Sequence, residues 1–134
     1  MINTKRMIWA FLAAVAVALV FEYTVFGLAL ANFHAEHADW LKPQAELPRL
    51  RMFLTTALNL ALVTLFYALF ARHRASSVST GLVFGVLLGL IAGWVPQAFN
   101  KMLFVDYPFY LHWGTAIFAE TVLVGVVLGL VYRE

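Results

Sequence analysis

The sequence predicts an all-α, polytopic membrane protein in which four transmembrane helices form an up-down bundle with a polar loop between helices 1 and 2. Composition is the first observation: of the 134 residues, 63% are hydrophobic and 12% are charged, whereas soluble domains carry about a quarter charged residues. The second is that four apolar stretches approach or exceed the roughly 20 residues needed to cross a bilayer. The third is that polar, proline-containing connections separate these stretches.

A chain of 134 residues has room for a single transmembrane domain. Its outer loops are predicted at residues 32–51 and 99–110, and its spans at about residues 7–31, 52–71, 81–98 and 111–132. Pro96 is expected to kink or end the third span because its nitrogen carries no hydrogen. Ser79 or Thr80 is expected to cap the beginning of that span.

The first apolar run is interpreted as an uncleaved anchor and not as a signal peptide. It is longer than the roughly 7–15 apolar residues of a signal sequence, and it contains Glu22.

The basic residues suggest an orientation of the chain in the membrane. Those beside the membrane ends in short connections are Lys5, Arg6, Arg72, Arg74 and Arg133. By the positive-inside rule we predict a bacterial inner-membrane protein with both termini in the cytoplasm.

Several function classes find no support in the sequence. No basic tract with interleaved aromatic residues suggests nucleic acid as a partner. The absence of cysteine removes disulfides and thiolate chemistry. No Gly-x-Ser-x-Gly, His-Glu-x-x-His or phosphate-loop motif suggests an enzyme, and no cofactor is expected.

Two acidic residues lie inside predicted spans. At a rise of 1.5 Å per residue, Glu22 lies roughly 22 Å from the inner boundary of the bilayer core, and Glu120 lies roughly 14 Å from the outer boundary. Asn59 is roughly 10 Å below the outer boundary, and Gln97 ends the third span on the same side. We therefore expect Glu22, Glu120, Asn59 and Gln97 to share one polar pocket in the outer half of the bilayer.

Intramembrane carboxyl groups are functional candidates by default, because a charge there is costly. Like-charge repulsion and poor solvation disfavour two ionised carboxylates, so we expect at least one of Glu22 and Glu120 to hold a proton at neutral pH. No basic residue lies inside a span to neutralise them. This pattern predicts proton- or small-cation-linked transport in a homo-oligomer or larger complex. The alternative is that protonated glutamates only hold the bundle together.

Small residues recur at intervals of four in three of the predicted spans. Ala10, Ala14 and Ala18 lead to Glu22 along one face of the first helix. Glycines at this spacing let neighbouring helices approach closely, and they are Gly81, Gly85, Gly89, Gly93, Gly125 and Gly129. The glycine stripe also raises a second hypothesis, a non-catalytic accessory or scaffold subunit that packs against a larger membrane complex.

Histidines at the outer end offer a weaker third hypothesis, outward-facing metal capture. His34 and His37 are three residues apart and would share a helix face, and His112 is expected at the outer end of the fourth span. Imidazole suits zinc and copper. Two histidines at this spacing without a fixed third ligand are more often part of a solvated polar loop.

Overall fold

The computed structural model describes residues 2–40, 48–96 and 107–132, and all regular elements in these ranges are helical. Helix α1 spans Thr4–Phe21. Its N-cap is Asn3, whose side chain accepts a hydrogen bond of 3.1 Å from the backbone N–H of Arg6. The helix continues without a break into a π-helical segment, Glu22–Ala29, called the first π segment below.

The polar connection after the first π segment contains local helical structure. Helix α2 spans Ala31–Glu36 and is followed by a 3₁₀ turn at Ala38–Trp40. Helix α3 spans Arg49–Phe70 and ends in a second 3₁₀ turn at Ala71–His73. The hydroxyl of Thr64 donates to the carbonyl of Leu60 at 2.7 Å, so this buried polar group is satisfied on its own helix.

The second half of the chain forms a helical hairpin. Helix α4 spans Val78–Gly89 and continues as a second π segment, Leu90–Trp94. Pro96 lies two residues after this segment, and its missing N–H disturbs the regular hydrogen bonding of the preceding turn. Helix α5 spans Tyr107–Val131. Residues 107–110, which we assigned to the outer loop, are thus helical.

The predicted cap of the third span is wrong. Ser77 is the N-cap of α4, and its side chain accepts the backbone N–H of Thr80 at 3.2 Å. The helix begins three residues before the expected Gly81, which places Ser79 and Thr80 inside its first turn. Ser77 is a favoured capping type in the extended conformation that such a residue adopts.

Helix length and polarity are compatible with a membrane protein. Three helical stretches among the described residues are long and apolar enough to cross a bilayer, namely Thr4–Ala29, Arg49–His73 and Leu111–Val131. A shorter apolar helix, Val78–Trp94, corresponds to the other predicted span. Large apolar side chains such as Val20, Leu58 and Ile91 are at least 60% exposed, as expected for helices surrounded by lipid. The all-α prediction is confirmed for the described residues.

Helix α4 runs antiparallel to α5 at very close range. A Cβ atom on Gly85 would lie 2.8 Å from the Cα of Val122, and one on Gly93 would lie 2.6 Å from the carbonyl oxygen of Gly114. Gly81 meets Gly125 in the same way, backbone against backbone. The glycine stripe therefore lies inside the α4–α5 contact, where only hydrogen side chains fit.

Helix α1 packs against α5 and α3 through its alanine stripe. Ala10, Ala14 and Ala18 are all 0% exposed. At the beginning of α1 the backbone N–H of Asn3 donates to the hydroxyl of Tyr132 at 3.3 Å. The N-terminal end of α1 therefore lies beside the C-terminal end of α5, and these two helices are antiparallel.

An aromatic core closes this same end of the bundle. Tyr67 on α3 is completely buried, and its ring packs edge-on against Phe84 and Tyr132 at centroid distances of 5.2 and 6.0 Å. Its hydroxyl is hydrogen-bonded to Oγ of Ser76 at 2.8 Å. The end of α3, the beginning of α4 and the end of α5 are thus held together, and the polar side chains of the candidate sites lie farther along the bundle.

Candidate functional site

Glu22 is positioned by the alanine stripe of α1. It lies one helical turn after Ala18 and is the first residue of the first π segment. Its backbone N–H points to the carbonyls of Ala18 and Leu19, four and three residues earlier, so the regular hydrogen bonding of α1 extends to Glu22. The side chain is half-buried. Because π segments inside α-helices are frequent at functional sites, this change of geometry at an intramembrane acid singles the position out.

Glu120 lies on α5 and faces a mostly apolar environment. The residues one turn before and after it, Ala116 and Val124, are 7% and 2% exposed. Its own side chain is half-buried. The neighbouring Thr121 hydroxyl donates to the carbonyl of Ile117 at 2.7 Å and is therefore already satisfied on its own helix.

The structure brings the two acids together. The carboxyl group of Glu120 is close enough to that of Glu22 for a repulsive electrostatic interaction between them. They approach from antiparallel helices, α1 and α5, near the point where the alanine stripe ends. Two neighbouring carboxyl groups disfavour double ionisation, and their oxygens are ligands of the type that small cations take.

The other two predicted members of this polar pocket are placed differently. Asn59 is exposed on α3, whereas the buried positions of that helix are Leu60, Thr64, Tyr67 and Ala68. The structure does not bury Asn59 with the two acids. Gln97 lies outside the described residues.

A second polar cluster lies where α2 meets the N-terminal part of α5. The indole Nε1–H of Trp113 donates to Nε2 of His34 at 3.3 Å. The ring of Phe33 lies 4.4 Å from that of His37 and stacks on that of His112 at 4.7 Å, measured between centroids. These five residues form what we call the histidine–aromatic cluster.

Hydrogen bonding fixes the state of two histidines in the cluster. Nε2 of His34 accepts from Trp113 and must be unprotonated to do so. Burial lowers the pKa of His34, and the charge of neighbouring His37 lowers this pKa further. Nδ1 of His37 lies 2.8 Å from the carbonyl oxygen of Phe33 and is the donor, because a carbonyl only accepts.

The described residues contain no group of three or more His, Asp or Glu side chains arranged to hold a metal ion. His34, His37 and His112 do lie in one cluster, but the rings of His37 and His112 pack against the ring of Phe33. The ring nitrogens of His34 and His37 described above make hydrogen bonds within the chain.

Sequence reasoning missed the roles of Phe33 and Trp113. Neither residue is among the candidate site residues that the sequence indicates. A signal was present, since Phe33 directly precedes His34 and Trp113 directly follows His112. The pairing between the two segments depends on the packing of α2 on α5, for which the sequence contains no local pattern.

An open groove on the surface of α3 does not include either acid. Its lining residues are Pro48, Arg51, Met52, Thr55 and Thr56. This groove lies at the beginning of α3, whereas the aromatic core lies at its end. Comparison with known proteins adds no relative, since no protein family, no curated protein and no solved structure matches this chain.

Proposed function

We propose that this protein carries protons or a small cation across a bacterial inner membrane, with Glu22 and Glu120 as the paired titrating groups. The observation that carries the proposal is the approach of these two acids from α1 and α5 within otherwise apolar spans. An isolated charge at a helix centre costs roughly 2.5–3.5 kcal/mol on insertion scales. Two such groups in one place are a costly arrangement that binding of a proton or cation relieves.

The proposed architecture is an up-down bundle of four membrane-crossing helices with both termini in the cytoplasm. The helix that begins at Val78 continues through Pro96, a length of roughly 28 Å at the α-helical rise, close to the ~30 Å of the hydrocarbon core. The contact between Asn3 and Tyr132 supports an even number of crossings, because it puts the beginning of α1 and the end of α5 at one end.

The partial exposure of Glu22 and Glu120 favours proton or cation exchange over a purely structural role. A glutamate that only held helices together would be expected to donate a hydrogen bond across a helix interface. Within the described residues neither Glu22 nor Glu120 makes such a hydrogen bond, and both side chains are only half-buried. In our proposal the pair holds one proton in the resting state and exchanges it, or replaces it by a cation, when a pathway opens. Four helices enclose little space, so the pathway is completed in a homo-oligomer.

Flux measurements in reconstituted vesicles test this function. We expect Glu22→Gln and Glu120→Gln each to reduce proton or monovalent-cation flux at least tenfold, because an amide cannot titrate. Glu36→Gln is the matched control, since Glu36 is an exposed acid on α2 and its loss should leave flux unchanged. Equal flux in all three variants and the unmodified protein would rule out the acid pair as the transport site.

The glycine stripe, which suggested the scaffold hypothesis, packs within the chain itself. Gly81, Gly85, Gly89 and Gly93 pack against α5 of the same chain. They are therefore not a free groove for the helix of another protein. The metal-capture hypothesis likewise lacks a three-ligand group among the described residues.

A further inference from the structure

Helix α3 lies at the edge of the bundle and has a wide outward face. Its buried side chains are Leu60, Thr64, Tyr67 and Ala68, and it packs mainly on α1. Thr55 and Thr64 are nine residues apart, which at about 100° per residue is two and a half turns and puts them on opposite sides of the helix. The face around Thr55 is thus the one turned farthest from the rest of the chain.

Side chains on this outward face follow a heptad pattern. Successive members are separated by 3, 4, 3, 4 and 3 residues, and all are exposed: Met52, Thr55, Asn59, Leu62, Phe66 and Leu69. We call this set the α3 seam. Alternating spacings of three and four are the pattern with which one helix packs against another in left-handed pairs, at a crossing angle of about 20°.

Asn59 makes lipid an unsuitable cover for the α3 seam. It lies seven residues inside the predicted span that begins at Met52, which places it roughly 10 Å below the boundary of a ~30 Å core. Within the described residues the structure shows no hydrogen-bond partner for its amide. The other polar member of the seam, Thr55, already donates to the carbonyl of Arg51 at 2.8 Å. A carboxamide facing hydrocarbon without a partner is costly.

An asparagine is chemically complementary to a second asparagine. Its side chain carries both an acceptor oxygen and a donor NH₂ group, so two copies related by a two-fold axis can each donate to the other. Two copies inserted in the same orientation have such an axis along the membrane normal, which sets their α3 helices parallel and brings equal positions together. A single polar residue within an apolar heptad seam is also the device that fixes helix register and oligomeric state.

We propose that a second copy of this chain covers the α3 seam, forming a symmetric dimer in which the two Asn59 amides hydrogen-bond to each other at the centre of two parallel α3 helices. Leu62 and Phe66 flank this contact on one side, and Met52 and Thr55 on the other. The dimer rests on the membrane placement proposed above. It does not depend on whether Glu22 and Glu120 exchange protons.

Single-cysteine crosslinking tests the dimer directly, because the natural chain contains no cysteine. Leu62→Cys and Phe66→Cys lie on the seam, whereas Leu54→Cys and Leu65→Cys are exposed on α3 but point to one side of it. After oxidation in carbonate-washed membranes, we expect disulfide-linked dimers from the two seam variants and several-fold less from the other two. Equal crosslinking at all four positions, or none at any of them, would overturn the proposal.

The role of Asn59 is tested in the same background. Asn59→Leu, combined with Leu62→Cys, should weaken dimerisation about tenfold, equivalent to about 1.4 kcal/mol. Adding Leu58→Asn to this variant should not restore dimerisation, because Leu58 lies beside the seam. Undiminished crosslinking in the Asn59→Leu variant would show that the amide does not hold the dimer. Failure of the transport proposal would appear separately, as normal flux in Glu22→Gln and Glu120→Gln vesicles.

Discussion

Trp113 on α5 donates a hydrogen bond from its indole nitrogen to Nε2 of His34 on α2, at 3.3 Å. This hydrogen bond joins α2, in the polar connection after the first π segment, to the beginning of α5. Phe26, in the first π segment, packs against the same indole at a centroid distance of 5.1 Å. The three residues connect the first π segment, α2 and the beginning of α5, and the hydrogen bond in this connection requires a neutral imidazole.

The His34–Trp113 contact should therefore weaken in acid. The pKa of His34 is below its ordinary value of 6.5 in the folded protein, so the unfolded chain binds the proton more readily. The stabilising contribution is fully present above about pH 6.5 and is lost as the pH falls below that value. We expect a change in tryptophan fluorescence on acidification that is absent in Trp113→Phe and reduced in His34→Gln. An identical pH profile in His34→Gln and the unmodified protein would contradict this assignment.

Gly85 should tolerate no side chain. A Cβ atom there would lie 2.8 Å from the Cα of Val122 and 2.9 Å from the carbonyl oxygen of Thr121, both backbone atoms that cannot move aside. We expect Gly85→Ala to separate α4 from α5 and to lower the free energy of unfolding in detergent by about 1–3 kcal/mol. Gly27→Ala is the control, because the nearest atom to its Cβ is 3.8 Å away in the Tyr23 ring. Equal stability of both variants would argue against the tight α4–α5 contact.

Tyr67 and Ser76 should contribute to stability as a unit. The Tyr67 ring is completely buried, and its hydroxyl bonds Oγ of Ser76 at 2.8 Å. Removing the hydroxyl in Tyr67→Phe should cost about 1 kcal/mol of unfolding free energy, within the usual range for a buried hydrogen bond. Tyr23→Phe, at a 69% exposed position, should cost nothing measurable. A double-mutant cycle with Ser76→Ala measures the coupling, and strictly additive losses would show that the two hydroxyls do not interact.

The particular residues show where sequence reasoning succeeds and where it stops. Spacing of four in an apolar segment has one geometric meaning, a common helix face, and Gly81 and Gly85 do lie together against α5. The helical rise similarly predicts comparable depths for Glu22 and Glu120, and these two acids lie on helices α1 and α5, which contact each other. The depth of a residue in the membrane, however, does not show which side of its helix the residue is on. Asn59 was assigned to the same pocket from its depth, yet it is exposed on α3, because a span that is apolar all round does not reveal which side faces its neighbours.

Local sequence patterns do not predict the π segments or the histidine–aromatic cluster. A π segment differs from an α-helix by a one-residue shift in hydrogen bonding, and no residue type requires that shift at Glu22. The Trp113–His34 contact joins positions 79 residues apart in the sequence. Its formation depends on how α2 packs on α5, which is decided by tertiary contacts and not by neighbouring residues in the sequence.

The alanine stripe of α1 gives a last prediction about how Glu22 is positioned. Ala14 is 0% exposed in the contact of α1 with its neighbours, so Ala14→Leu must displace α1 and should cost about 1–3 kcal/mol of unfolding free energy. Ala16→Leu places the same side chain on the exposed side of the same helix and should be nearly neutral. Because Glu22 lies two turns farther along the Ala14 face, we also expect Ala14→Leu, but not Ala16→Leu, to reduce proton flux in vesicles. If Ala14→Leu unfolds the helix contact and leaves flux intact, the approach of Glu22 to Glu120 is not what transport requires.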